Sequence, residues 1–337
     1  KFAVIFALAS LSASLSIPYD SIPNFATKLK GEALRDYVND IQSLWKAEMP
    51  TFDRSKNLMA IKHTKLPLTA EFAEVVVADS IPEAFDARTA WPNCPSIGQI
   101  RDQSTCGSCW AFGAAEAMSD RICITKGINV TLSADDLLSC CGSSCGYGCE
   151  GGYPINAWQW WVKEGLCTGG GFYENSFCKP YPIQPCGKTT DDNGESHYHF
   201  CRGGLETETP ACQNSCSNKD YAISYKNDKH FGKSAYAIPQ NIDAIKTEIM
   251  TNGPVEVAFT VYDDFYYYTS GIYKHVSGGV DGGHAVKILG WGTENGTPYW
   301  IVANSWNASW GEKGFFRIVL GTNECGIEEA VVAGLAK

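Results

Sequence analysis

The chain has 337 residues, 44% hydrophobic and 19% charged, a globular balance that excludes a disordered or fibrous protein and leaves room for one or two domains. Its formal charge is −10, and residues 1–80 carry nine basic and nine acidic side chains, so the whole excess lies after them. An acidic body argues against nucleic acid or anionic membrane as the main partner.

Lys1 is basic, residues 2–11 are almost wholly apolar yet too short to span a bilayer, and Ser14 and Ser16 are small residues suitably placed before a cut. Residues 1–16 therefore read as a secretory signal lacking its initiator Met, which predicts a lysosomal or secreted protein. No later stretch is long and apolar enough to cross a membrane. In such a compartment the fifteen cysteines favour disulfides over metal sites. Asn129, Asn295 and Asn307 head Asn-x-Ser/Thr acceptors, compatible with that route, and Pro298 hinders the use of Asn295.

Residues 17–79 are charged and free of cysteine, and within residues 31–46 the apolar Leu34, Val38, Ile41 and Trp45 recur at helical spacing. The next predicted helix starts near Cys109, runs past Cys123 and ends before Gly127. Residues 132–138 restart with Ser133, Asp135 and Asp136, a capped helix. Residues 140–216 are rich in Gly, Pro and Cys and read as loop held by covalent links. After Asn241 a short helix follows through residue 250, then strands at 255–261, 285–291, 299–303 and 315–319. Helices first and strands later predict an α+β chain of two packed lobes with a cleft between them.

The chemistry concentrates in four places. Cys106-Gly107-Ser108-Cys109-Trp110 puts a thiol at a helix start, where the macrodipole and unpaired amides favour the thiolate. Gly282-Gly283-His284-Ala285 supplies the best histidine to hold that thiolate and to protonate a leaving amine. Asn304, twenty positions later, can accept from the imidazole, and Trp306 can cover that bond. Gln103 and the Cys109 amide can form an oxyanion hole.

Two other readings of the cysteines exist. Cys106 and Cys109 form a Cys-x-x-Cys, but no βαβ pattern surrounds it as a thioredoxin-like redox site requires. Cys140, Cys141, Cys145 and Cys149 have a spacing compatible with zinc, against which an oxidising compartment favours disulfides. The other five histidines read as surface or packing residues.

With Asp86-Ala87-Arg88, Cys140-Cys141-Gly142, Gly151-Gly152-Tyr153-Pro154 and Asn295-Gly296-Thr297-Pro298-Tyr299-Trp300, these segments resemble the papain superfamily, and within it the cathepsin B-like cysteine peptidases, from about residue 30 to residue 333. The resemblance implies a papain-like two-lobe fold, a helical left lobe bearing Cys109 and a β-barrel-like right lobe bearing His284 and Asn304. Residues 17–78 become an inhibitory propeptide that crosses the cleft backwards, anchored by its apolar face from Leu34 to Trp45, and residues 79–337 the mature peptidase. The implied disulfides are Cys94–Cys123, Cys106–Cys149, Cys140–Cys212, Cys141–Cys145, Cys178–Cys216 and Cys186–Cys201, with Cys109, Cys167 and Cys325 left over. Gly151, Gly152 and Trp306 become substrate-binding residues. The implied partners are protein and peptide substrates, the chain's own propeptide and cystatin-type inhibitors, with no metal, cofactor, nucleic acid or membrane. A relative of this kind that has lost its nucleophile acts as a binding protein, but all four catalytic positions are present here.

Two departures from the family matter. The occluding loop between Cys186 and Cys201 lacks the adjacent histidine pair that binds a substrate's C-terminal carboxylate, leaving Lys188, His197 and His199 as candidate donors. In the S2 pocket, Ala330 stands where the family carries a glutamate that admits arginine at P2, with Glu329 beside it. Pro154, Ala258 and Ala285 complete a small, apolar pocket. These departures predict mainly endopeptidase activity, weakened carboxydipeptidase activity and a preference for apolar P2 residues.

Overall fold

The computed structural model describes residues 22–50, 58–185, 187–190, 195–199 and 207–337. The expected signal and the expected Cys186–Cys201 pair lie outside the described residues.

In chain order the helices are α1 (Gly31–Ile41), α2 (Ala87–Ala90), α3 (Cys109–Lys126), α4 (Ala134–Cys140), α5 (Pro154–Glu164) and α6 (Ile242–Asn252). The strands are β1 (Trp45–Ala47), β2 (Phe85–Asp86), β3 (Gly187–Thr190), β4 (Ser196–His199), β5 (Tyr236–Ala237), β6 (Val255–Tyr262), β7 (Tyr268–Tyr273), β8 (Val280–Glu294), β9 (Thr297–Ala303), β10 (Phe315–Val319) and β11 (Ala330–Ala333). Among the described residues, one sheet runs β1-β7-β10-β9-β8-β6-β11-β5 with β2 added to β8, and β3 and β4 form a separate hairpin.

Local chemistry sets these boundaries. Gly127, at φ +67°, ends α3 in the left-handed conformation that glycine adopts without strain. Ser133 caps α4 by accepting from the Asp136 amide, and Asn241 caps α6 by accepting from that of Ala244. The expected apolar helical face over residues 31–46 is corrected: α1 stops at Ile41. There Gln42 Oε1 accepts from the amides of Leu44 (2.8 Å) and Trp45 (3.0 Å), and Gln42 Nε2 returns to Val38 O (3.1 Å). The turn sends Trp45 into a strand, while Leu34 and Val38 remain the buried face of α1. Residues 140–216 are likewise more than loop, since α5 begins with Pro154 at its first turn and buries Trp158 and Trp161.

Two cores form the two lobes. One gathers α3, α4 and α5 around Trp110, Phe112, Leu137, Trp158 and Trp161. The other fills the curved sheet with Val257, Phe259, Phe265, Trp300, Trp306 and Phe316, and also takes in Leu34, Val38 and Trp45 from the N-terminal segment. Helix α3 lies between them with fifteen of its eighteen residues buried, packed on β6 and β8 on one side and on α4 and α5 on the other. Disulfides Cys94–Cys123, Cys106–Cys149, Cys140–Cys212, Cys141–Cys145 and Cys178–Cys216 staple the helical lobe, and Cys109, Cys167 and Cys325 are free. All four sulfurs of the possible zinc cluster are therefore taken up in disulfides.

The N-terminal segment spans both edges of the sheet. Strand β1 pairs antiparallel with β7, and Trp45 Nε1 donates to Lys274 O at 2.9 Å. Further on, Phe72 forms a parallel bridge with Ala237 of β5 at the opposite edge.

Candidate active site

Cys109 is the first residue of α3. Ser108 before it directs its hydroxyl to Tyr181 (2.9 Å), so no side chain caps the first turn. His284 lies on β8, and Asn304 follows directly after the neighbouring β9. Their side chains meet, both buried, with His284 Nε2 2.7 Å from Asn304 Oδ1. An amide oxygen only accepts, so Nε2 is the donor in this pair. The Ser305 amide donates to the same oxygen at 2.8 Å and holds it toward the ring.

Trp306 lies across this pair, its indole centroid 4.7 Å from the imidazole, and it stacks on Tyr266 at 5.6 Å. It is fully buried, so in this form of the chain it packs around His284 and offers substrate no surface. Gln103 is fixed on both sides, accepting from Ser305 Oγ (2.6 Å) and donating to Cys106 O (2.9 Å). It thus ties the turn before Cys109 to the segment after β9.

The sequence expectation of a depressed thiol pKa is reversed here. Burial pushes the Cys109 thiol up to about 12, although hydrogen bonds from the backbone of Ala285, Trp110 and Cys109 itself pull it down. The N-terminal segment contributes to that burial. Met59 exchanges backbone hydrogen bonds with Gly283 (2.9 and 2.8 Å), the residue before His284, and shares a buried cluster with Cys109. Gly151 makes room for it: at φ +112° it bears no Cβ, and one would lie 2.5 Å from His63 Nδ1 and 2.6 Å from Met59 Cβ. Gly152 packs instead under the Trp110 ring, 2.7 Å from where its Cβ would stand.

His63 is buried edge-on to Tyr153 (centroids 4.7 Å) and tilted over Tyr147 (5.9 Å), and neither ring nitrogen has a hydrogen-bond partner among the described residues. Burial, and then the Lys62 charge, push its pKa down to about 4. Beyond it Lys65 forms an ion pair with Glu329, which also accepts from Asn323 Nδ2 at 2.8 Å.

Next to His284, Ala285, Ala258 and Ala330 stand directly opposite one another on β8, β6 and β11, all buried, and Pro154 is buried at the start of α5. In the β3–β4 hairpin His197 stacks on Tyr173 with centroids 3.9 Å apart. The side chains of Lys188 and His199 lie outside the described residues. Cys167, Cys178 and Asp228 bring their ligand atoms within 4.8 Å of one another, but the Cys178 sulfur is bonded to Cys216.

Sequence reasoning missed Met59, Ser305 and Tyr181. Ser305 stood in the Asn304-Ser305-Trp306 motif and was legible as a second donor to Asn304. Met59 carried no signal beyond a short apolar run, and Tyr181 none at all.

Comparison with known proteins gives a consistent result. Residues 81–335 match the family described as papain family cysteine protease. The chain is 53% identical to "Cathepsin B-like cysteine proteinase 4" of Caenorhabditis elegans over 345 aligned positions, covering 100% of this chain and 99% of that one. It is 52% identical to the "Gut-specific cysteine proteinase" of the same organism, again covering 100% of this chain and 99% of the relative. Among solved structures it is similar to proCathepsin B S9 from Trypanosoma congolense, with a TM-score of 0.76 and 36% identity over 91% of this chain and 98% of that one.

Proposed function

The chain belongs to the papain family of cysteine proteases and is a cathepsin B-like cysteine proteinase, and from that premise we propose that Cys109 is its nucleophile, His284 its acid and base, and Asn304 the residue that orients the imidazole. The observation that carries this reading is the buried His284–Asn304 pair together with the backbone hydrogen bond from Ala285, the residue after His284, to Cys109 at the uncapped start of α3. The Cys109 thiolate attacks the peptide carbonyl, and the oxyanion is held by the Cys109 amide and the Gln103 side-chain amide. His284 Nδ1 gives its proton to the leaving amine, which departs and leaves a thioester. The same imidazole then takes a proton from water, and water releases the acid.

In this reading residues 17–78 are the inhibitory propeptide, cut near residues 79–81, and residues 79–337 the mature enzyme. The Met59–Gly283 bridge and the buried thiol support it, since substrate has no access to Cys109 in this form. Gly151 lines the cleft that the propeptide vacates, while Ala258, Ala285, Ala330 and Pro154 line S2. By likeness to the gut-specific relative and the procathepsin, the protein is a lysosomal or secreted digestive protease, open to cystatin-type inhibitors. No helix among the described residues is long and apolar enough to cross a membrane.

The test is Cys109→Ala. The variant is expected to fold and form its disulfides yet to show no turnover and no labelling by an epoxide thiol inhibitor. Peptidase activity retained in it rejects the assignment.

A further inference from the structure

Helix α3 carries a row of side chains that the reaction above leaves unused. Gly113, Glu116 and Asp120 follow Cys109 at helical spacing, and all three are buried against the sheet or its neighbours. Across from them, Glu256 on β6 and Lys287 on β8 are cross-strand partners, each 0% exposed. Glu256 packs on α3 one turn below Cys109, since a Cβ on Gly113 would lie 3.2 Å from its Cγ and Oε1.

The cation of this pair turns away from its partner. Lys287 Nζ donates to Asp120 Oδ2 at 2.8 Å and to Ile97 O at 3.3 Å. Glu256 Oε2 accepts from Trp158 Nε1 of α5 at 2.8 Å, and Oε1 has no hydrogen-bond partner among the described residues. From α3 the Glu116 carboxyl acts on it by charge, and Glu116 is itself acted on by Lys287 and Arg101. Arg121, on the same helix, lies 5.7 Å from the Trp158 ring but is bound to Glu248 at 2.8 Å. Glu256 thus faces one neutral indole, the Ala114 backbone amide, the Glu116 carboxyl and the nucleophile, and no cation among the described residues.

We propose that Glu256 is a positioning residue for the nucleophile: it remains a neutral acid while the protease works, and once ionised its carboxylate opposes the Cys109 thiolate and closes activity on the alkaline side. This rests on Cys109 being the nucleophile. A carboxylate with no cation in a dry site is strongly disfavoured, so the proton stays on through the acid range. A charge one helical turn from sulfur, at low dielectric, acts on the thiolate with little screening. Burial, and the Glu116 carboxyl, hold the Glu256 pKa well above the ordinary carboxyl range, and the Glu256 charge in turn raises that of Cys109.

The experiment compares activated wild type, Glu256→Gln and Glu116→Gln, reading kcat/KM and the rate of inactivation by iodoacetamide from about pH 4 to about pH 9, the span over which these groups titrate. Glu256→Gln cannot ionise, so the alkaline midpoint is expected to rise by about half a pH unit, roughly threefold in rate on that limb. Glu116→Gln removes the like charge, lets Glu256 ionise earlier and is expected to lower the midpoint. Opposite shifts from two conservative replacements are not what a packing defect produces. Unmoved midpoints, or two shifts of the same sign, overturn the proposal. If Glu256→Gln fails to fold, Glu116→Gln decides alone, and an unchanged or raised midpoint overturns it. Inactivation by iodoacetamide with unmoved midpoints removes the role of Glu256 and leaves Cys109 standing, whereas failure of iodoacetamide to inactivate any of the three removes both.

Discussion

His63 shows how one side chain couples pH to access. Docked, its ring is surrounded by Gly151, Tyr147 and Tyr153 with Lys62 beside it, and its pKa falls from 6.5 to about 4. The neutral ring is the one that fits, so its contribution to docking is complete above pH 6.5 and is lost as pH falls from there toward 4, by up to about 3 kcal/mol. The precursor is therefore expected to activate on acidification. A His63→Leu precursor, which cannot gain that charge, is expected to reach half-activation at a lower pH when peptide cleavage is measured after incubation across a pH series; an unmoved midpoint rejects this role. Ala330 makes the second argument at this scale. With Ala258 and Ala285 opposite it, Ala330 brings to the proposed S2 pocket no charge to receive a guanidinium, whose unpaired burial costs several kcal/mol on typical scales. Dipeptide substrates with Phe or Val at P2 are expected to be cleaved faster than those with Arg. A clear Arg preference means that Glu329, released with the propeptide, reaches the pocket.

At the scale of elements, the N-terminal segment holds by strand pairing as much as by its helix. Strand β1 closes the β7 edge and the Phe72 bridge closes the β5 edge, so backbone groups that would stand unpaired are covered at both ends of the sheet. The β3–β4 hairpin is tied differently, through the His197–Tyr173 stack. A stacked imidazole does not offer a substrate carboxylate the fixed pair of donors that an adjacent His-His sequence supplies. Each charge-assisted bond of that kind contributes about 1.5–3 kcal/mol. An internally quenched peptide ending in a free carboxylate and its amidated twin are accordingly expected to be cleaved at similar rates. Strong preference for the free acid assigns the missing donors to Lys188, His197 or His199.

At the scale of the whole molecule, two lobes meet along α3, and the meeting surface is built for acid. Glu116 is pushed from 4.5 to about 7, chiefly by burial, and Lys287 and Arg101 offset only part of it. A carboxyl raised on folding contributes stability that is complete below pH 4.5 and is lost as pH rises toward 7, by up to about 3 kcal/mol. Glu116→Gln is expected to raise Tm at pH 7 by several degrees, at roughly 2–4 °C per kcal/mol for a domain of this size, and to leave it unchanged near pH 4. Equal Tm values at pH 7 reject this account.

The sequence alone put forward the residues of the proposed site and most of the elements around them. Cys109 before an apolar helical run, His284 entering a strand, and Asn304 ending the next were legible because motif and periodicity are local properties. Local chemistry also marked the cap at Ser133 and the helix end before Gly127. Trp45 and α5 were misread because one side-chain turn at Gln42 and one proline at a helix start override composition. Only the tertiary structure decided that the thiol is buried rather than poised, since that involves Met59, fifty residues earlier (109 − 59), which pairs with Gly283 and shares a buried cluster with Cys109. It alone turned Lys287 toward Asp120 and left Glu256 without a cation, because the direction of a buried side chain depends on every element packed against it and on no single stretch of chain.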